Sequence, residues 1–568
     1  MVCAFLAALA TGGPTYAFGI YGSTLKATLH LSQSELDTIS SANFCAGLFS
    51  ALPGLCVDRW GPKIAMATGG ILQSAALVSY WVAARMFAEM EVSHGILIAC
   101  LSILGIVLFL ANSLVIGSVF KAIVVSCGSG SKGMAVGAAK GYVGLGAGVY
   151  SCLFDSLRQR DESDLDFLLM ASVFAALAIT LPAVVLLPGK EELSTIRDVS
   201  TPLHFRSIYS GLMVLALFVA GTSAIFLFEP LPENASENNV EAKESTNYGR
   251  ASLLLLAWFG PILLLFFLPR AVCSDTECDS NKSLNHSMRK TADSRPLFLS
   301  DIVGTEEDSG IEEECIEYTL TQMLQTLPAW LFLWTCTILV GSGTVMTNNM
   351  GQMVESLGLP SRATSASLAL FSVAQAAARV VTGSVSESAL SWKSDTVCGF
   401  DHGVPRPTFA VLAALFGVAA HTLLGTIATR TAFVVGVILS GMAFGSIWPL
   451  MVLIVGEIFG TENHGANYMF YDGFTSAIGT LLISKFIAQE IYEAHINSDD
   501  LNMDDVTCYG SMCFGPTHLI TAGLCLTSLL ASVAVLILTR NVYRLDASLH
   551  QNDVLYGSPY SPSRKTAK

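Results

Sequence analysis

Charged residues are scarce in this chain, and their scarcity excludes most classes of protein. Only 13% of its 568 residues are Asp, Glu, Lys or Arg, against about 25% in soluble domains. Hydrophobic residues make up 52% and the mean hydropathy is +0.57. These values exclude a soluble globule, a coiled coil, collagen and a disordered chain. The net charge of −15 does not suit a nucleic-acid-binding protein.

The motifs of common hydrolases and nucleotide-driven pumps are also absent. The chain has no G-x-x-x-x-G-K-[ST] loop, no H-E-x-x-H and no G-x-S-x-G. Its cysteines and histidines do not form a set with the spacing of a zinc site. We therefore expect no catalytic residues, no metal and no cofactor, and predict that the protein is not an enzyme.

Long uncharged runs take the place of such motifs. About 20 apolar residues in a helix cross a hydrocarbon core of about 30 Å, and the runs lack the alternation of a membrane-spanning strand. No basic residue precedes the first run, so we interpret it as a retained helix and not as a signal peptide. The fourteen runs cover residues 2–23, 36–56, 64–84, 95–120, 134–154, 167–187, 207–228, 250–269, 327–347, 363–385, 408–428, 432–454, 466–487 and 516–538.

Lys and Arg residues are distributed unevenly between alternate loops, which indicates the orientation in the membrane. If the loop at 57–63 is cytosolic, the cytosolic segments hold 19 basic residues and the outer segments hold 8. We predict that both termini are cytosolic, and we favour the plasma membrane over an organelle membrane. The outer side then contains Asn234, a candidate glycosylation site, and a loop in which Cys508 and Cys513 can form a disulfide.

Two similar charge patterns follow the second and tenth runs, on the same predicted face of the membrane. The first, named the Asp58 latch, consists of Gly54, Asp58, Arg59, Gly61 and Lys63. The second, named the Glu387 latch, consists of Gly383 and Glu387, which share one helix face with Arg379. Charged groups at such positions can stabilise one of two helix arrangements. We therefore interpret both patterns as conformational latches.

Each latch follows the second run of a similar half of the chain. Because eight of the fourteen runs lie between the latches, each half has six runs and two further runs lie between the halves. The loop at 270–326, which follows the two additional runs, is polar and carries an acidic block beginning at Glu306, as is typical of a disordered linker. The predicted segments are an N-terminal six-helix bundle at 1–190, two additional spans at 207–269, a disordered cytosolic loop at 270–326, a C-terminal six-helix bundle at 327–540 and a cytosolic tail at 541–568.

This arrangement resembles the major facilitator superfamily. The loop after the second helix in that superfamily runs G-x-x-x-D-R-x-G-R-K. This chain has the same spacing from Gly54 to Lys63, with Pro62 in place of the first basic residue after the glycine. The resemblance implies two six-helix bundles, a substrate site between them, and core helices five and eight (the fifth and tenth runs) meeting beside it.

Further motifs are similar to those of the nodulin-like branch of the superfamily. They are Gly13-Pro14-x-Tyr16-x-Phe18, Lys140-Gly-Tyr-Val-Gly-Leu, Glu457-x-Phe459-Gly460 and Cys508-x4-Cys513-Phe. A more distant resemblance, at Arg379-x3-Gly383, is to carriers of the monocarboxylate-transporter type. Those carriers have an acidic residue where this chain has Gln375, and a first-helix lysine that is missing here.

Two cations lie at matching depth inside the runs. Lys140 and Arg379 are each about six residues from the predicted cytosolic end, and an ionised group there needs a partner or a cavity because its insertion costs at least about 2.5–3.5 kcal/mol. The guanidinium suits bidentate contact with a substrate carboxylate. In the alternative interpretation, Arg379 belongs to the Glu387 latch and Lys140 extends towards the cytosol.

Three other residues are candidates for the same site. Asp472 in the thirteenth run either pairs with one of the cations or carries a coupled proton, if burial raises its proton affinity. Tyr16 and Asn112 are further candidates for lining the cavity.

The combined features predict a secondary active transporter of a small organic solute, with a carboxylate or an amino acid as the favoured class. It would work by alternating access in a lipid bilayer, with a proton or ion as a candidate coupled species. The alternative is a membrane sensor or scaffold that has the same fold and does not transport.

Overall fold

The computed structural model describes residues 1–16, 18–31, 33–90, 92–127, 130–157, 163–193, 202–228, 240–268, 317–359, 362–390, 403–495, 508–540 and 542–543. Asn234, the side chain of Tyr16 and most of the loop at 270–326 lie outside the described residues. The regular elements within the described ranges are all helices, which confirms the all-α prediction for them.

The helices before residue 194 are called the N-terminal set. The second apolar run forms a bent helix, in which Ala51–Trp60 turns by 48° from Thr38–Phe49. The set comprises α1 (Val2–Tyr16), α2 (Phe18–Thr28), α3 (Gln33–Cys45), α4 (Ala51–Trp60), α5 (Pro62–Glu89), α6 (His94–Ser126), α7 (Lys132–Leu157), α8 (Phe167–Ala175), α9 (Leu181–Leu186) and α10 (Lys190–Leu193).

Two helices, α11 (Pro202–Phe228) and α12 (Val240–Leu263), precede the undescribed loop. The helices after residue 317 are called the C-terminal set, and a π-helical stretch at Thr480–Gln489 joins α18 to α19. The set comprises α13 (Leu320–Met323), α14 (Leu327–Ser356), α15 (Arg362–Leu390), α16 (Pro407–Thr426), α17 (Arg430–Phe459), α18 (His464–Gly479), α19 (Glu490–Ala494) and α20 (Gly515–Leu538).

Ten helices within the described residues are long and apolar enough to cross a membrane, and the bent second helix would make eleven. The predicted count of fourteen spans is therefore not confirmed, although each of the fourteen runs overlaps a helix or a broken helix. Three runs fall short for visible reasons. The apolar part of α1 ends at Pro14, α7 contains Lys140 among many glycines, and the helix that begins with α18 is interrupted by the π-helical stretch.

Two helix pairs bring the N-terminal and C-terminal sets together, α4 with α18 and α7 with α15. Glycines allow both approaches. A Cβ atom on Gly383 would lie 2.5 Å from the carbonyl oxygen of Gly133, and a Cβ atom on Gly54 would collide with the backbone of Gly465. Small residues permit this close packing of helices in membranes, so Gly54 and Gly383 serve the contact between the two sets.

Candidate functional site

A cavity of about 50 Å³ lies between the two sets, and eight residues from each set line it. This volume has room for a few water molecules. Four of the five predicted substrate-binding residues are in its wall, namely Arg379, Lys140, Asp472 and Asn112. The sequence therefore predicts the charged residues of the described cavity wall and one of its uncharged polar residues.

Lys140 bridges the two sets. Its Nζ atom lies 3.1 Å from Asp472 Oδ1 and donates to the hydroxyl of Tyr468 at 2.6 Å. That hydroxyl donates to the same Asp472 oxygen at 2.5 Å, and the Lys140 ammonium lies 4.6 Å from the ring centroid of Phe120. Because the Lys140 side chain is only 3% exposed, the prediction that it extends towards the cytosol is wrong.

Arg379 lies directly beside Lys140. Its Nη1 atom donates to the carbonyl oxygen of Lys140 at 2.9 Å, and its Nη2 atom donates to Gln375 Oε1 at 2.9 Å. The matching depth of the two cations along the sequence thus corresponds to contact in space. Among the described residues, the charged ones in the cavity wall are these two cations and Asp472, so this part of the wall carries a formal charge of +1.

Trp448 on α17 lies between the two cations, and sequence reasoning missed it. Its ring centroid is 4.6 Å from Lys140 Nζ and 5.6 Å from the guanidinium carbon of Arg379. Aromatic faces attract cations in this range. Tryptophan in membrane proteins is enriched at the lipid–water interfaces, so a tryptophan in the interior of the twelfth run was the signal that could have identified it.

Asp58, at the end of α4, caps the first turn of α18. Its Oδ1 atom accepts a hydrogen bond from the backbone N–H of Gly465 at 2.9 Å, and its Oδ2 atom accepts one from Ala466 at 2.7 Å. A helix N-terminus stabilises a negative charge through its unpaired N–H groups and its dipole. The Asp58 latch therefore joins the N-terminal set to the C-terminal set.

The basic partner of Asp58 is Lys121 on α6, which sequence reasoning did not assign to the latch. Lys121 Nζ lies 2.9 Å from Asp58 Oδ1. It also donates to the carbonyl oxygen of Thr461 at 2.6 Å and to that of Glu462. Both members of this ion pair thus reach across to the turn between α17 and α18.

The remaining residues of the Asp58 latch have other roles. Gly61 joins α4 to α5 with φ of 84°, in the left-handed region that favours glycine. Arg59 is exposed and Lys63 is partly exposed. Lys190 on α10 donates to the carbonyl oxygen of Asp58 at 2.5 Å, so that basic contact comes from outside the predicted motif.

Glu387, near the end of α15, caps the beginning of α7. It accepts hydrogen bonds from the backbone N–H groups of Gly130 at 2.8 Å and Gly133 at 2.7 Å. Its basic partner is Arg406, at 2.5 Å. The interpretation that placed Arg379 in this latch is wrong, because Arg379 lies eight residues earlier on the helix, about 12 Å away, and lines the cavity.

Arg406 anchors a buried charge cluster within the C-terminal set, and it too was missed as a latch residue. Its Nε atom donates to Glu457 Oε1 at 2.5 Å, and its Nη1 atom donates to Ser386 Oγ at 2.8 Å. The hydroxyl of Tyr543 donates to the other oxygen of Glu457 at 3.0 Å. All of these partners belong to residues after 317.

Cys508 and Cys513 form a disulfide in the connection between α19 and α20, with their Sγ atoms 1.98 Å apart. The pair lies away from the cavity wall, so its role is in the loop and not in the site.

Comparison with known sequences identifies a family over the first part of the chain. A family model described as Nodulin-like matches residues 1–235. The Arabidopsis thaliana protein NUCLEAR FUSION DEFECTIVE 4 is 22% identical over 573 residues, covering 97% of this chain and 90% of that protein. The probable transporter MCH1 of Gibberella zeae is 24% identical over 213 residues, covering 33% of this chain and 37% of that protein.

Comparison with solved structures identifies the fold. The proton:xylose symporter XylE, a member of the major facilitator superfamily bound to 6-bromo-6-deoxy-D-glucose, superposes with a TM-score of 0.57 at 13% identity. The match covers 93% of each chain, and XylE comes from E. coli. MCH1 and XylE are described as transporters and not as enzymes, in agreement with the prediction. With its apolar helices, this fold makes the protein an integral multi-pass membrane protein, which is similar to the Nodulin-like family over residues 1–235 and has the fold of XylE.

Proposed function

We propose that the protein is a secondary active transporter of a small organic anion, moved by alternating access. The observation that carries this proposal is the cavity between the two helix sets, whose wall holds Lys140, Arg379 and a single carboxylate. Transporters of this fold bind their substrates between two bundles that rock against each other. A wall with a formal charge of +1 favours a monoanion, and the planar fork of Arg379 matches a carboxylate.

The latches close one end of this cavity. Each supplies a carboxylate to the first turn of a helix in the opposite set, so separating the sets at that end breaks both contacts. We assign this end to the cytosol, from the 19 basic residues on that side against 8 on the other. The described state is then the one closed towards the cytosol.

A proton is the proposed coupled species. Asp472 is the carboxylate of the cavity wall and pairs with Lys140, so its protonation would release the ammonium for the substrate. XylE, which shares the fold, is a proton:xylose symporter. The full proposal includes fourteen spans in a six, two and six arrangement, with both termini in the cytosol and the protein in the plasma membrane.

Uptake into proteoliposomes tests the transport proposal. Purified protein should accumulate labelled small carboxylates when a proton gradient is imposed, and Arg379→Gln should abolish accumulation. Arg85→Gln is the matched control, because Arg85 forms a half-exposed ion pair with Asp166 outside the cavity wall. Binding of carboxylates without net movement in the wild-type protein would overturn transport and favour a sensor or scaffold.

The topology is tested separately by a tag in the loop at 270–326. The tag should be protected from antibody in intact cells, and an engineered cysteine next to Asn234 should react with an external, membrane-impermeant reagent. Antibody access to the tag from outside would overturn the assignment of the latches to the cytosolic face.

A further inference from the structure

The cavity wall contains polar atoms of two kinds, those already bonded within the protein and those without a partner. The hydroxyls of Thr11, Ser113, Thr344 and Ser476 each donate to a backbone carbonyl three or four residues earlier in their own helix. Intrahelical bonds of this type satisfy a hydroxyl without a ligand. Each of these four hydroxyls therefore already has an acceptor for its hydrogen atom and does not need one from a ligand.

Three other polar atoms of the wall are different. Asn112 Oδ1, Trp448 Nε1 and Thr480 Oγ1 are buried and have no hydrogen-bond partner among the described residues. A buried polar group without a partner pays the cost of its lost hydration, so such atoms mark places where a ligand gains free energy by binding. Asn112 is on the N-terminal side of the cavity, and the other two are on the C-terminal side, where Trp448 lies beside both cations.

We infer that the substrate anion carries a hydroxyl group as well as its carboxylate, and that Asn112 is the residue that selects for the hydroxyl. This inference rests on the proposed function, since it assigns the substrate class of the same site. A side-chain amide both donates and accepts hydrogen bonds. A substrate hydroxyl does the same, so one hydroxyl satisfies the amide in either orientation of its oxygen and nitrogen.

The charge of the wall argues against an amino group in place of the hydroxyl. An ammonium would bring a third cation into a small cavity that already holds Lys140 and Arg379, and like charges repel strongly in a low dielectric. The carboxylate of Asp472 already accepts from Lys140 and Tyr468. The structure therefore favours hydroxy acids over amino acids.

Binding to purified protein tests this inference with matched pairs of acids. The pairs are propionate with lactate, butyrate with 3-hydroxybutyrate, and hexanoate with gluconate, and alanine tests the amino group. At least one hydroxy acid should bind tenfold or more tightly than its partner, and alanine should bind more weakly than lactate. In Asn112→Leu the preference should fall below twofold.

Asn43→Leu is the matched control, because Asn43 Oδ1 is also buried without a partner but Asn43 is not part of the cavity wall. It should keep the hydroxyl preference. An undiminished preference in Asn112→Leu, or alanine binding as tightly as lactate, would overturn the inference. If the unsubstituted acids bind in an Arg379-dependent manner without any preference for a hydroxyl, the inference fails and the proposed anion site stands. If no acid binds, both fail.

Discussion

In the Asp58 latch a carboxylate of the N-terminal set caps α18 of the C-terminal set, and in the Glu387 latch a carboxylate of the C-terminal set caps α7 of the N-terminal set. Each carboxylate accepts from two backbone N–H groups, and each contact sits beside glycines that let the helices touch. The two latches are therefore related by exchange of the two sets, as expected if both act on the same end of the cavity.

The basic partners of the two carboxylates behave differently. Lys121 bonds across the boundary to the α17–α18 turn, whereas the partners of Arg406 among the described residues, Glu387, Glu457 and Ser386, all belong to its own set. The Arg406 side chain is 2% exposed, and that of Lys121 is 11% exposed. From this difference we expect the Asp58 latch to act mainly in switching, whereas the Glu387 latch also belongs to the buried charge cluster of the C-terminal set.

Removing the Glu387 carboxylate should have the largest effect, and it should be an effect on stability. Glu387→Ala leaves Arg406 buried with one carboxylate partner fewer, so we expect a loss of about 3 kcal/mol in the free energy of unfolding. Asp58→Ala should cost about 1 kcal/mol, because its pair is more exposed. Denaturant unfolding in detergent measures both, and adding Arg406→Leu to Glu387→Ala should restore part of the loss. Equal losses for the two single variants would show that the latches do not differ in this way.

The order of the two variants should reverse when opening of the closed end is measured in place of stability, so that Asp58→Ala has the larger effect. Asp58→Ala removes two charge-assisted bonds between the sets and the carboxylate partner of Lys121, so the open state should gain about 2 kcal/mol, roughly 30-fold. Distances between spin labels placed on the two sets at that end report this shift. Arg59→Ala, next to it and exposed, is the control and should leave the distances unchanged. A wild-type distance distribution in Asp58→Ala would remove the latch role.

The variants of the two basic partners, Lys121 and Arg406, should differ from each other in the same measurement, and the effects should be smaller than that of Asp58→Ala. Lys121→Gln should favour opening by about 1 kcal/mol, roughly fivefold, because it loses charge-assisted bonds to carbonyl groups of the opposite set. Arg406→Gln should lower stability and leave the ratio of open to closed states within twofold of wild type. An opening shift in Arg406→Gln as large as that in Lys121→Gln would contradict the division of roles.

The sequence predicts the carboxylate of each latch better than its basic partner. Asp58 and the turn at Gly61 are visible because a local glycine and charge pattern is needed to end one helix and begin the next. Lys121 and Arg406 lie far along the chain from their carboxylates, and nothing local distinguishes them from other basic residues near the ends of the runs. Their assignment needs the packing of the helices.

Prediction of the cavity wall from the sequence has the same limit. Lys140, Arg379 and Asp472 are conspicuous because charge inside an apolar run is expensive. Trp448 belongs to an apolar run in which an aromatic residue costs nothing, so its position between the cations becomes apparent only in three dimensions. The count of fourteen spans stays a prediction, because three of the runs form helices that are short, that contain Lys140 among glycines, or that are interrupted by a π-helical stretch.

The substrate affinity and the exchange rate of Arg379→Lys, measured on the same purified protein, test the central claim most directly. Lysine keeps the charge but loses the planar pair of donors, so the account predicts carboxylate binding weakened about tenfold, or by about 1.4 kcal/mol, with the protein folded and the rate of opening unchanged. Lys140→Gln should also weaken binding. Wild-type affinity in both variants would contradict an anion site at these two residues, and a changed exchange rate at unchanged affinity would return Arg379 to a role in gating.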